Sequence, residues 1–261
     1  MNKVEDYEYF SKRARNYKLY YDKEVGFFRG RMSNGSWNPV FHPIKSKKPW
    51  ATDYAEGNPW QYLWLVPQDV EGLIELLGGE KAFADKLNTF FSLDSGNDED
   101  ILLDLTGCIG QYAHGNEPSH HIAYLYAYVG QQWKTARLTR YILKNFYHDQ
   151  PDGIIGNEDC GQMSAWYILA SSGLYPICPG DNRYEISSPV FSEISFEVPA
   201  TNKIFTIKAH NNSIENVYIQ SAKLNGVNYN KCYLTHGDIL NGYTLELFMG
   251  DKPNEKWGLD P

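Results

Sequence analysis

The stretch from Asp152 to Tyr167 carries the residues that are best placed to do chemistry in this chain. A Gly- and Pro-rich approach brings the acidic cluster Asn157-Glu158-Asp159 to the start of an apolar helix, predicted from about Gln162 to Ser172. A carboxylate held by the backbone at such a junction could act as a general base. It could equally cap the helix, because Asp159 followed by Gln162 matches a capping box. The spacing alone favours the cap, so the decision depends on other carboxylates.

Two further junctions between a loop and a helix carry a carboxylate. Glu56 precedes the cluster Trp60-Gln61-Tyr62, and Glu117 follows Asn116 in a turn rich in Gly, Pro and His. The helix macrodipole favours a charged carboxylate at each position by up to about 1 kcal/mol, so capping explains each junction taken singly. Three such junctions with aromatic or histidine clusters attached favour a functional cleft instead.

Composition excludes several classes of partner. The chain has 261 residues and a net charge of −8 with no basic run, which argues against nucleic acid. Aromatic residues make up 15%, and aromatic-rich clefts suit sugars, although Tyr and Trp also serve as ordinary packing residues. The four cysteines form no CxxC pair, so neither zinc nor thiol redox chemistry is indicated. No apolar segment has the length needed to span a membrane.

The hydrophobic pattern changes along the chain. Apolar spacing predicts helices over about 3–21, 60–77, 80–91, 119–129 and 133–147, besides the helix after Asp159. After Pro189 the alternation has period two, over 194–198, 203–208, 216–219 and 244–249. We therefore predict a mainly α chain with appended β structure, helical over 1–188 and a small antiparallel β region over 189–261. The absence of an export signal before the first helix favours a piece of a longer protein.

Three long motifs carry a resemblance to a known family. They are EGNPWQYLWLVPQDVEGL (56–73), GQYAHGNEPSHHIAYLY (110–126) and GNEDCGQMSAWYILASSGLYPICPG (156–180). Through these, with shorter matches at 133–135, 151–153 and in the tail, the chain resembles the calcium-dependent α-mannosidases of glycoside hydrolase family 92. The resemblance implies the C-terminal portion of such an enzyme, a partial (α/α)6 barrel followed by closing β-strands. It also implies an N-terminal β-sandwich domain as a missing partner.

The resemblance implies an activity, the hydrolysis of terminal α-linked mannose from glycans with inversion and with α-1,2 linkages preferred. Inversion requires an acid and a base whose carboxyl groups lie about 6.5–9.5 Å apart. We assign the acid to Glu56, because the aromatic cluster after it would desolvate the charged form, and keep Glu117 as the runner-up. We assign the base to Asp159. The resemblance implies that a second Asp two positions before the base can assist it. In this chain that position is Asn157, which cannot accept a proton, so Asp159 would act alone.

The resemblance further implies a calcium ion that binds the 2- and 3-hydroxyls of mannose. Calcium prefers oxygen ligands, and we place it at Asn116 and Glu117. Histidine nitrogens are poor calcium ligands and are better suited to sugar hydroxyls. The residues that we expect to bind substrate are Trp60, Gln61, His114, His120 and Gln162. Export to the periplasm, cell surface or extracellular space follows from the family alone.

Two other interpretations stay open. The chain could be a non-catalytic fragment that binds carbohydrate only and needs the missing N-terminal domain for activity. It could also belong to another (α/α)-barrel glycosidase or lyase, which fits the aromatic-rich helices but leaves the long motifs unexplained. Glu56→Gln and Asp159→Asn separate the first alternative from a mannosidase, because each should abolish activity without unfolding the chain.

Overall fold

A computed structural model describes residues 3–50, 52–94, 102 and 105–260 of the chain. The chain forms two compact units, residues 1–119 (unit 1) and 120–261 (unit 2). The division predicted at residues 188 and 189 separates helical from strand-rich sequence, and it stays a prediction as a domain boundary. The (α/α)6 barrel also stays a prediction, whereas the combination of helices with appended β structure is confirmed.

Unit 1 is built from short helices. The α-helices are α1 (Val4–Ala14), α2 (Pro59–Tyr62), α3 (Val70–Leu76) and α4 (Glu80–Ser92), and 3₁₀ turns cover Asn16–Tyr20, Pro67–Asp69 and Glu117–Ser119. The helical stretch predicted over 60–77 was expected to break at Pro67, and it is interrupted there, because Pro67 has no N–H to donate to the preceding turn. Two-residue strands form the hairpins β1–β2 (Tyr21–Asp22 and Phe27–Phe28) and β3–β4 (Cys108–Ile109 and Tyr112–Ala113).

The core of unit 1 is aromatic. Trp64 is fully buried, and its ring centroid lies 5.3 Å from that of Phe83 and 5.7 Å from that of Phe90. Helix α4 supplies both phenylalanines from one face. Helix α1 behaves differently, since none of its residues is buried although its pattern predicts an apolar face.

The helices of unit 2 are a 3₁₀ helix (Ile122–Val129), α5 (Gln132–Asn145), a 3₁₀ turn (Asp159–Gly161), α6 (Gln162–Ser171) and α7 (His236–Leu240). The helix predicted over 119–129 is therefore present as a 3₁₀ helix. All of its residues except Tyr128 are buried, so the sequence lacks the polar face from which a helical period is read. Helix α6 begins at the predicted residue and ends one residue earlier than predicted.

Two sheets complete unit 2. The three-stranded sheet has the order β11-β6-β5, with β5 Leu174–Tyr175, β6 Arg183–Ile186 and β11 Tyr233–Thr235. The five-stranded sheet has the order β10-β9-β12-β8-β7, with β7 Glu193–Val198, β8 Lys203–His210, β9 Tyr218–Leu224, β10 Val227–Tyr229 and β12 Thr244–Gly250.

The prediction of a purely antiparallel β region is wrong at one pair. Strand β12 runs parallel to β8, with Leu245 opposite Ile207, while every other pair in the two sheets of unit 2 is antiparallel. Alternation of apolar and polar residues reports which face of a strand is buried, and it carries no information about strand direction. The connection from β8 to β12 passes through β9, β10, β11 and α7, which is long enough for a parallel crossover.

Candidate functional site

Glu56 lies in the bend that precedes α2 in unit 1. Its backbone N–H donates to Tyr62 Oη at 3.1 Å, and its carbonyl oxygen accepts a hydrogen bond from Asn116 Nδ2 at 2.8 Å. The structure therefore links the predicted acid directly to a predicted metal ligand. The predicted desolvation of Glu56 is wrong, because its side chain is exposed while the neighbouring indole of Trp60 turns into the core.

The start of α2 explains the position of this bend. Asn58 is the N-cap, and it forms a capping box in which its Oδ1 accepts from Gln61 N and its own N–H donates to Gln61 Oε1. Asn58 Nδ2 also donates to the Ile44 carbonyl at 2.6 Å and to Gln111 Oε1 at 3.0 Å. These bonds, with Pro59 at the first helical position, fix the backbone that carries Glu56.

Two predicted substrate-binding residues have interior roles in unit 1. Trp60 packs edge-on against Phe27 with a centroid distance of 5.0 Å. Gln61 uses its Oε1 in the capping box and its Nε2 to donate to the Gln111 carbonyl at 3.0 Å. Both side chains are buried, so a role in substrate binding stays a prediction that depends on the resemblance.

His114 is also an interior residue. Its side chain is fully buried, its Nδ1 lies 2.7 Å from Tyr112 Oη, and the two rings are stacked. This burial could not be predicted from the sequence, because His114 lies in a stretch rich in glycine, which is typical of an exposed turn. Its predicted contact with sugar hydroxyls is likewise untested.

Asn116 and Glu117 present oxygens that suit a hard cation. Asn116 is buried, and its Nδ2 donates to the Glu56 carbonyl. Its Oδ1 accepts no hydrogen bond from the described residues. Glu117 Oε1 is buried and has no hydrogen-bond partner among the described residues, which is an energetically costly state for a carboxylate oxygen. Calcium accepts amide and carboxylate oxygens together, so both residues fit the predicted ion. Since the described residues contain no cluster of three His, Cys, Asp or Glu, further ligands would be other oxygens.

Asp159 lies in unit 2 at a tight left-handed bend. Cys160 has φ +54° and Gly161 has φ +76°, and Gly161 is the N-cap of α6. The predicted capping box of Asp159 and Gln162 is therefore wrong, because the two left-handed residues move the helix start beyond Asp159. The Asp159 side chain is exposed and makes no hydrogen bond or ion pair with any described residue.

Glu158 occupies the capping role instead. Its Oε1 accepts from the backbone N–H of Ser164 at 3.1 Å, and its Oε2 accepts from Ser164 Oγ at 2.7 Å. Ser164 is the third residue of α6, where a backbone N–H has no partner within the helix. Sequence reasoning missed this pair, because Ser164 lies six positions after Glu158 and no capping motif has that spacing.

The structure brings two predicted substrate-binding residues of unit 2 together. Gln162 Nε2 lies 3.3 Å from His120 Nδ1 and 3.3 Å from Tyr175 Oη. The His120 carbonyl accepts from Trp166 Nε1 at 3.1 Å, which fixes the turn before the 3₁₀ helix. Burial raises the pKa of Tyr175 to about 12, so its hydroxyl stays protonated and available as a donor or acceptor. Tyr175 was not predicted from the sequence.

The pKa of another carboxylate in unit 2, that of Glu185, is raised well above its ordinary value. Glu185 on β6 is fully buried, and burial raises its pKa to about 7 against the opposing effect of Arg183. The guanidinium of Arg183 bonds Glu185 Oε1 at 2.5 Å and lies 4.1 Å from the ring centroids of Tyr128 and Tyr233. A group with no exposed surface cannot reach a substrate, so this pair is part of the core.

Comparisons with known proteins confirm the family resemblance that the sequence motifs indicated. The Glycosyl hydrolase family 92 catalytic domain matches residues 1–251. An uncharacterized secreted glycosidase of Arthroderma benhamiae is 35% identical over 246 residues, which cover 90% of this chain and 29% of the relative. These matches define a portion of a glycoside hydrolase.

Solved structures give the same result. A family GH92 α-mannosidase from Bacteroides thetaiotaomicron, in complex with mannoimidazole, superposes with a TM-score of 0.93 and 40% identity, covering 99% of this chain and 34% of that chain. A family GH92 inverting mannosidase from the same organism superposes with a TM-score of 0.85 and 34% identity, covering 97% and 35%. The chain belongs to glycosyl hydrolase family 92, and it spans about a third of the length of these relatives. Among its described helices, none is both long and apolar enough to cross a membrane.

Proposed function

We propose that this chain carries the acid, the base and part of the calcium site of an inverting exo-α-mannosidase. Its substrate is a terminal α-linked mannose of a glycan, preferably in α-1,2 linkage. The observation that supports this most is Asp159, an exposed and unpaired carboxylate at a left-handed bend in a family 92 chain. The relatives described as α-mannosidase and inverting mannosidase support mannose as the sugar and inversion as the outcome.

The base is Asp159 because its neighbours are unsuited to the task. An ionised carboxylate is an acceptor only, and a base needs a free lone pair directed at water. Both oxygens of Glu158 are bonded to Ser164, and the amide of Asn157 cannot take up a proton. Asp159 is the one member of this cluster with a carboxylate that is free among the described residues.

The acid is Glu56, with Glu117 as the alternative. Glu56 follows from its place before α2 and from the hydrogen bond that ties its carbonyl to Asn116. Glu117 has a buried oxygen that receives no hydrogen bond from the described residues, which suits a metal ligand better than a group that must deliver a proton. An α-mannosyl fluoride separates these roles, because fluoride leaves without protonation. Glu56→Gln should keep most activity on the fluoride, whereas Glu117→Gln should lose activity on both substrates.

Calcium would be held by Asn116 Oδ1 and Glu117 Oε1, and when bound it would supply a Lewis-acidic anchor for the hydroxyls of the mannose ring. The chain's own part is to present these two oxygens, which Asn116 does through its bond to Glu56. Binding is tested without activity by the thermal unfolding of the chain in calcium and in a chelator. An ion that binds only the folded state raises Tm, and Glu117→Gln should remove this rise. An equal rise in both proteins would place the calcium elsewhere.

We propose further that additional chain completes unit 2 in the longer protein, and that a β-sandwich domain belongs to this additional chain. Helix α6 is apolar around its circumference, which is typical of a helix that is buried on all sides. Tyr167 and Ile168 are nevertheless exposed beside a cavity of about 510 Å³. The relative that is called secreted supports a periplasmic or extracellular location.

The decisive test is release of mannose from α-1,2-linked mannobiose by the 261-residue chain, with calcium and with a chelator. Calcium-dependent release that gives the β-anomer first is the expected result. Release of the α-anomer first would overturn inversion. No release from a folded chain would favour the alternative of a fragment that binds carbohydrate only, and the assay repeated on a protein of the relatives' length would then show whether the missing part completes the site.

A further inference from the structure

Glu158 has no role in the proposed reaction, yet both of its carboxylate oxygens are occupied. They accept from two donors of one residue, the N–H and the hydroxyl of Ser164, at 3.1 and 2.7 Å. The two residues thereby close a loop of unit 2 that contains Asp159, Cys160 and Gly161. A carboxylate that binds two donors of one residue fixes distance and orientation together, as a single hydrogen bond does not.

The enclosed bend needs such support. Cys160 adopts a left-handed conformation that residues other than glycine rarely take, and Gly161 continues the same hand. The backbone bond across the bend, from the Gly161 N–H to the Glu158 carbonyl, is long at 3.4 Å. The N-cap of α6 is a glycine and offers no side chain of its own.

Asp159 depends on this bend for its position. Its side chain contacts no donor among the described residues, so only the backbone of the bend places its carboxylate. Displacement of a catalytic group by about 1 Å can cost on the order of a hundredfold in rate. Whatever holds the bend therefore holds the base.

We propose that Glu158 is the positioning residue of Asp159, acting through a clamp formed by the Glu158 carboxylate and Ser164. The inference rests on the proposed function, because it takes Asp159 as the base. Tyr147 lies near Glu158 and contacts the residue before Ser164, so it lies beside the clamp at both ends. Burial raises its pKa, and the nearby charge of Glu158 raises it further. Its Oη donates to the Met163 carbonyl at 3.2 Å, so Tyr147 also braces the residue that precedes Ser164.

The first measurement is a double-mutant cycle in kcat for mannobiose hydrolysis by the chain, or by the longer protein if the chain alone is inactive. Glu158→Ala should lower kcat about 10- to 100-fold and leave KM within about twofold. Glu158→Gln should recover most of the rate, because the amide has the shape of the carboxylate and can bond both groups of Ser164. In the Asp159→Asn background, Glu158→Ala should change the residual rate by less than about twofold.

The matched control is Glu197→Ala, an exposed glutamate on β7 of the same unit. It should leave kcat at the value of the unmodified protein. Equal losses from Glu158→Ala in both backgrounds would mean a general structural role and would overturn the proposal. An unchanged kcat in Glu158→Ala would overturn it as well. An Asp159→Asn variant that keeps full kcat would instead overturn the proposed base.

The second measurement does not need activity. Amide hydrogen exchange of the segment 156–166 reports the clamp directly, since Ser164 N–H is one of its donors. Glu158→Ala and Ser164→Ala should each speed exchange in this segment at least about tenfold, and exchange in β8 and β12 should not change. Unchanged exchange in 156–166 would show that the clamp does not hold the bend.

Discussion

The starts of α2 and α6 have the same capping pattern and opposite outcomes. Asn58 lies just before α2 and Gln61 is its third residue, and Asp159 and Gln162 have the same spacing, with Gln162 as the first residue of α6. At α2 the pattern forms a complete capping box. At α6 no box forms, and Glu158 supplies the cap from outside the pattern. A polar side chain at a helix start is either bonded to the helix or available to a ligand. Asn58 at α2 is bonded to its helix, and Asp159 at α6 is available.

The difference comes from the residues around each pattern. Pro59 presets the first turn of α2, and the amide of Asn58 is held by Ile44 and Gln111. At α6 the residues between the two polar positions are Cys160 and Gly161, and both are left-handed. The backbone of Asp159 is thereby turned away from the N–H groups that it would need to cap. Burial follows the same division, since Asn58 is 2% exposed and Asp159 lies on the surface.

Asp159→Asn tests the free side of this comparison and should have the largest effect. Loss of a general base should lower kcat for mannobiose by about 10²- to 10⁴-fold. Because the carboxylate has no partner among the described residues, the free energy of unfolding should change by less than about 0.5 kcal/mol. Steady-state kinetics and urea unfolding measure the two quantities. A loss of about 1 kcal/mol with full activity would restore the capping interpretation.

Asn58→Ala tests the bonded side. It should lower the free energy of unfolding by about 2–4 kcal/mol, because it removes the cap and leaves the partners Ile44 O and Gln111 Oε1 without a donor. Asp159→Ala is the matched control and should cost less than about 0.5 kcal/mol in the same urea titration. Equal costs for the two substitutions would contradict the contrast between the sites.

Glu185 extends the comparison, because its carboxylate is buried and paired with Arg183, whereas that of Asp159 is exposed. Its pKa rises to about 7 in the folded state from an ordinary value of 4.5, so the folded chain binds the proton more tightly. The resulting stability is fully present below pH 4.5 and is lost as the pH rises through about 7. The free energy of unfolding should fall by about 1–3 kcal/mol over this window.

Urea titrations at several pH values measure this slope, and Glu185→Gln should flatten it, since glutamine does not titrate. The unmodified chain, titrated under the same conditions, is the control. A slope that is the same in Glu185→Gln would assign the pH dependence to other groups.

Gly57→Ala and Gly161→Ala compare the space around the backbone at the two helix starts, and Gly161→Ala should have the smallest effect of these substitutions. A Cβ at Gly57 would lie 2.5 Å from Gln61 Oε1 and push on the capping box, which should cost about 1–3 kcal/mol. Among the described residues, a Cβ at Gly161 would meet only Glu158 Oε1, at 3.9 Å, so the cost should be about 1 kcal/mol from its positive φ. Urea unfolding ranks the two, and a larger loss at Gly161 would contradict the open space beside the bend.

Much of the secondary structure was predictable from local pattern. Helix α4 was expected over 80–91 and is Glu80–Ser92, and the strand expected over 194–198 is β7, Glu193–Val198. These elements have one buried face, so the period of their apolar residues shows in the sequence. The segment 122–129 is buried on nearly all sides and has no such period, and its 3₁₀ form could not be predicted.

The residues of the candidate site stay predictions from the sequence, and their environments were predictable only in part. The sequence by itself determined the family, through long motifs that bring Glu56, Asn116, Glu117 and Asp159 with them, and it determined where the helices beside them begin. Only the tertiary structure decided which side chains are bonded and which are free. It buried His114 and Gln61 and joined Glu158 to Ser164. It also ran β12 parallel to β8. Motif and period are local properties of a chain, whereas burial, hydrogen-bond partners and strand direction depend on residues far apart in sequence.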